Sequence, residues 1–206
     1  MKRIQRFVGL AVAALLVTAG LASAAQDHAK KSAAPGGDDK EKAMMDAMMK
    51  AGTPGAEHKM LADMAGTWDA KVRMWMKPGA PPEESAGTSE ATSIMGGRYL
   101  EEKFTGTAMG QPFTGQGITG YDNVQKKYVS TWADSMSTGI MTSTGRADGN
   151  KMTMSGQMAD PMTGKMSNIK QVMTMTDNDH HKFEMWAAGP DGKSFKMMEI
   201  EYTRKK

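Results

Sequence analysis

The sequence predicts an all-β fold: an antiparallel up-and-down β-barrel of about ten strands, preceded by one or two short helices. Three observations carry this. Residues 66–76 alternate strictly, with Trp68, Ala70, Val72, Met74 and Met76 on one face and Asp69, Lys71 and Arg73 on the other, which is the period of two of a half-buried strand. Turn signals rich in Gly, Asn, Asp and Pro then recur at the spacing of an antiparallel domain. The links are hairpin-short, without the long crossovers that would favour a two-sheet sandwich, and closing a meander on itself removes its exposed edges.

At the start of the chain, Lys2, Arg3 and Arg6 precede an apolar run from Phe7 to Leu21, and Ala22-Ser23-Ala24 follows. A basic region, a short apolar core and a small-x-small site predict a secretory signal over residues 1–24, hence a periplasmic or secreted protein. The run is short for a bilayer span, and no later stretch could serve as one. The chain has no cysteine, which excludes disulfides, a lipid-bearing Cys, and a Cys-based zinc site or nucleophile. The formal charge of +3 is matched by the three basic residues of the leader, so the rest is near neutral and makes no case for nucleic acid.

Residues 25–53 read as a flexible spacer with a Met-rich helical island. Ala33 to Asp39 is expected to be disordered, and Glu41 to Ala51 helical. Residues 54–206 read as the barrel domain. Glu57 to Met64 forms its lead-in helix, with Met60, Leu61 and Met64 as the apolar stripe. The strands follow over 66–76, 85–95, 99–108, 113–121, 127–134, 139–147, 151–158, 169–176, 181–187 and 195–203. A barrel of this size either encloses a small ligand or fills its interior with side chains.

Several of these segments together resemble a bacterial family known as domain of unknown function 1579. They are Glu57-His58-Lys59 ahead of Gly66-Thr67-Trp68, then Gly96-Gly97-Arg98-Tyr99-Leu100-Glu101-Glu102, Pro112-Phe113 with Gly120-Tyr121-Asp122, and Thr131-Trp132-Ala133-Asp134-Ser135-Met136. Asp160-Pro161-Met162-Thr163-Gly164-Lys165, Asp179-His180-His181-Lys182-Phe183-Glu184-Met185 and Lys196-Met197-Met198-Glu199-Ile200 complete the set. The resemblance runs from about Pro54 to Arg204 and implies a lipocalin-like, calycin-type barrel. It supplies no substrate and no catalytic residue.

The chemistry-bearing candidates are few. Gly115-x-Gly117-x-x-Gly120 has the letters of a dinucleotide fingerprint, but a turn follows where a helix N-terminus is needed, so it reads as a strand with close-packed glycines. His180 and His181 fall on opposite faces of one strand and cannot chelate one ion together. A single inward His would be enough for haem, whereas a turn-end His would bond to the Asp177/Asp179 loop. Met44, Met45, Met48 and Met49 form a thioether cluster of the kind that takes Cu(I), with His28, His58 and His181 as conceivable partners, although methionine is frequent everywhere in this chain, at 23 residues. Alternation can turn one member of the pairs Glu101/Glu102 and Glu199/Glu201 inward, where a carboxylate would anchor a ligand or act as a general acid/base, but these residues and Glu184 are expected on a solvated outer face beside Lys103, Lys182 and Lys196. Neither a Gly-x-Ser-x-Gly elbow nor a His-Glu-x-x-His motif occurs, so the reading leans away from an enzyme and names no catalytic residue or cofactor. Trp68, Val72, Met74, Phe104, Trp132, Phe183 and Met185 are expected to line or cap an interior that binds a small, partly apolar molecule. A Met-rich Cu(I)-handling protein and a haem-binding or enzymatic barrel using His180 or His181 are the alternatives.

Overall fold

A computed structural model describes residues 37–206 apart from Met162 and Pro190. The leader, the start of the spacer and His28 lie outside the described residues. Two helices, α1 (Gly37–Gly52) and α2 (Ala56–Asp63), precede ten strands: β1 (Gly66–Met74), β2 (Glu83–Ile94), β3 (Tyr99–Ala108), β4 (Gln111–Asp122), β5 (Lys127–Asp134), β6 (Met141–Asp148), β7 (Lys151–Asp160), β8 (Lys165–Met175), β9 (His180–Ala188) and β10 (Ser194–Arg204). Each strand pairs antiparallel with the next, and β1 pairs with β10, so the meander closes into a barrel.

The disorder expected over Ala33 to Asp39 does not hold for its last three residues. Gly37, Asp38 and Asp39 belong to the first turn of α1, where the two carboxylates complement the helix dipole. Met76 does not continue the inward face of the first strand: β1 stops at Met74 and Met76 is exposed. The turn between β3 and β4 is only Met109-Gly110, both with positive φ, so Gln111 and Pro112 are already paired.

Alternation sets the inward face of each strand, and the register holds around the barrel except between β9 and β10, where it shifts at a bulge between Lys196 and Met198. One end is closed. Helix α2 lies across β2, β3 and β4, and Leu61 and Met64 pack among Leu100, Tyr128, Met152 and Met154. The Gly55 N–H donates to His58 Nδ1 at 3.0 Å, which holds the start of α2. Trp68 Nε1 donates to the Met64 carbonyl at 3.0 Å, joining the end of α2 to β1. The Arg204 guanidinium lies over the Trp68 ring at 4.0 Å and donates to the carbonyls of Ala65, Asp63 and Asn178. A second buried cluster, Trp68, Ala70, Val72, Phe104, Ile200 and Tyr202, covers the β1–β3–β10 wall.

The other end has no such plug among the described residues. Inward positions there, including Met74, Phe113, Trp132, Met141 and Met198, are only half-buried. We call this end the mouth.

Candidate functional site

The site is built from the middle of the barrel. On β3, Leu100 and Phe104 face inward, and alternation carries Glu102 with them. The expectation that both members of the Glu101/Glu102 pair lie outside therefore fails for Glu102. Glu101 does lie outside, accepting from Gln116 Nε2 at 2.8 Å and pairing with Lys103. Glu102 Oε1 accepts from Ser89 Oγ of β2 at 2.7 Å and, more weakly, from Tyr202 Oη of β10 at 3.4 Å. Burial pushes the Glu102 carboxyl above the usual carboxylate range, and the two hydroxyls only partly offset this. Burial also raises the Tyr202 phenol well above its ordinary value, with the neighbouring Glu102 adding to the rise. Glu102 is deep between the walls, yet its surface is not fully covered.

The two histidines separate as strand geometry requires. His180 turns outward, and its Nδ1 lies 2.9 Å from Asp177 Oδ1. His181 turns inward, stacked on Tyr202 at 4.4 Å between ring centroids and edge-on to Trp68 at 4.3 Å. Burial, helped by the nearby Arg204 charge, lowers its pKa to about 4, so the imidazole is neutral at neutral pH. Its Nδ1 is buried and has no hydrogen-bond partner, and Ser143 Oγ on β6 is in the same condition; they are the two such buried side-chain atoms among the described residues. Buried polar atoms are nearly always paired, so an orphaned one needs an explanation.

All seven expected lining residues fall on inward positions. Trp68, Val72, Phe104 and Met185 are buried, while Met74, Trp132 and Phe183 keep part of their surface open. The Trp132 indole lies flat over Gly115 and Gly117: a Cβ on Gly115 would come within 2.2 Å of that ring. This accounts for the glycines of β4 as close packing. Sequence reasoning did not single out Ser89, Ser143, Gln171, Tyr202 or Arg204. Their parity with Trp68, Phe183 and Ile200 was the available signal.

Met44, Met45, Met48 and Met49 are all exposed on α1, whereas His181 is inside the barrel, so these residues do not form one site. His58 Nδ1 is taken up by the Gly55 amide. No group of three or more His, Asp or Glu is placed to hold a metal ion among the described residues. The remaining candidate glutamates lie on the outer face, but Glu199 is buried there rather than solvated. Glu199 is covered by Arg73 and Lys196, with Lys182, Glu184 and Glu201 completing the network. Two open clefts lie on the wall and rim, one of ≈ 430 Å³ against β7–β9 that includes Lys170 and Trp186, the other of ≈ 300 Å³ between Trp75, Pro78 and Phe195. Neither contains an orphaned polar atom, so the lumen is the better candidate.

A closed ten-stranded barrel, plugged by a helix at one end and carrying polar groups inside, defines the class. Residues 53–204 match the family model described as a protein of unknown function, DUF1579, and the chain belongs to that family. No curated protein matches the chain. Among solved structures, Rv2717c from M. tuberculosis is similar in fold, with a TM-score of 0.54 at 14% identity, over 75% of this chain and all of that one. A redesigned β-barrel also aligns, with a TM-score of 0.40 at 17% identity, over 75% of this chain and 100% of that chain.

Proposed function

We propose that this protein is an exported carrier or sensor that holds a small, partly apolar molecule in the barrel lumen, admitted through the mouth. The observation that carries the reading is the pair of orphaned polar atoms, Ser143 Oγ and His181 Nδ1, on the inward face of a barrel whose mouth residues are half-exposed. Half-exposed Phe113, Trp132 and Met198 offer apolar contact, and methionines adapt their shape to the guest. Export rests on the pattern of residues 1–24.

Native mass spectrometry of protein purified under native conditions tests this. A mass excess that survives gentle ionisation and is lost on denaturation supports the reading. A bare mass, with no uptake of the neutral apolar probe N-phenyl-1-naphthylamine, would contradict it. The haem alternative rests on His181, because His180 is turned outward onto Asp177, and a Soret band in the purified protein would move the assignment there.

A further inference from the structure

The inward positions of the ten strands carry no Lys or Arg between Arg204 at the closed end and Lys165 at the rim. Arg204 is already engaged by three carbonyls, by Asp179 at 3.5 Å and by the Trp68 ring. Over the same stretch two carboxyls lie inside the barrel, and two more, Glu83 opposite Met74 and Asp160 opposite Lys165, stand on inward positions at the rim. Asp134, towards the mouth, accepts from Trp132 Nε1 at 3.2 Å and from the Met136 amide at 3.0 Å. Glu102, deeper, has only hydroxyl partners. A buried carboxylate without a cation is costly, and removing water raises the value of any cation that reaches it.

The walls around Glu102 suit the same guest. Phe104 and Tyr202 are buried on either side of it along β3 and β10, Phe104 meets Phe113 edge to face at 5.8 Å, and Trp132 lines the way in. Aromatic faces attract cations, most strongly where water is excluded. A free carboxylate ligand would meet two acidic groups and no base. We propose that the lumen ligand is a small organic cation, a protonated amine on an apolar skeleton, with its ammonium group against Glu102 and its skeleton against Phe104, Phe113 and Trp132. This inference rests on the lumen-binding reading and narrows it to a ligand class.

Three probes with one skeleton test it: benzylamine, benzyl alcohol and benzoate, each titrated into the full chain and followed by ligand-observed NMR. Benzylamine should bind about tenfold or more tighter than the alcohol, with benzoate weakest. Glu102→Gln should bring benzylamine down to the level of the alcohol. Equal binding of amine and alcohol, or an amine preference that survives Glu102→Gln, would overturn the cation assignment while leaving lumen binding intact. Binding of none of the three would count against both. Should Glu102→Gln fail to fold, Tyr202→Phe, which removes one hydroxyl and leaves the carboxyl, must retain the amine preference; its loss there would also overturn the assignment.

Discussion

The closed end and the mouth are made from the same strands with the same alternation, yet they are buried differently. At the closed end, α2 presses Leu61 and Met64 onto Leu100, Tyr128 and Met152, and Trp68 is almost fully buried. At the mouth, Phe113, Trp132 and Met198 face inward with nothing above them among the described residues. Inward direction and burial are therefore separate properties: the strand period sets the first, and a covering element sets the second. Stability should be concentrated where the cover is, and ligand contact where it is absent.

The sharpest way to break this comparison is to truncate one large side chain at each end. Trp68→Ala should cost about 3–5 kcal/mol, whereas Met198→Ala should cost about 1 kcal/mol, both measured by denaturant unfolding. Equal costs would mean that the mouth is packed like the closed end. Next in size is the effect of acid on His181. Its folded pKa of about 4 lies below the ordinary 6.5, so the unfolded chain takes up the proton first as pH falls. Stability is whole above about pH 6.5 and drains away down to about pH 4, by about 3 kcal/mol in all. Glu102 opposes this, because its raised pKa means that the cost of its buried charge is relieved as pH falls. The contribution of His181 is therefore the difference between wild type and His181→Gln, whose stability should lack that slope.

Glu102→Gln keeps the shape and removes the buried charge. At pH 7 it should raise stability, seen as a higher unfolding midpoint with an unchanged slope. A fall in stability would mean that the carboxyl is better solvated or paired than the geometry shows. The smallest effect belongs to α1. Its methionines touch no buried cluster, so Met44→Ala with Met48→Ala should change stability by less than about 0.5 kcal/mol in a thermal melt.

Much of the fold was legible because alternation is local. Trp68, Ala70 and Val72 declare their face, and β3 and β5 have the expected bounds. Edges were harder where sequence cues thin out. β8 starts at Lys165 rather than Ile169, because Met166, Ser167 and Asn168 carry no apolar pattern and owe their strand state to pairing with β7. The site was less legible. That one member of the Glu101/Glu102 pair must face inward follows from the period, but which one depends on Leu100 and Phe104 on either side. The contacts of Glu102 with Ser89 and Tyr202 join positions far apart in sequence, and only the closed topology brings them together. The orphaned state of Ser143 is likewise a property of the assembled lumen.

The methionines provide the most direct measurement. The full chain labelled with ¹³C at the methionine methyls is titrated with N-phenyl-1-naphthylamine and followed by NMR. The account predicts shifts confined to inward residues on the lumen and mouth, Met74, Met141, Met158, Met185 and Met198, with Met44, Met45, Met48 and Met49 unmoved. Shifts confined to the α1 methionines, or to exposed residues such as Met95 and Met166, would contradict a lumen site.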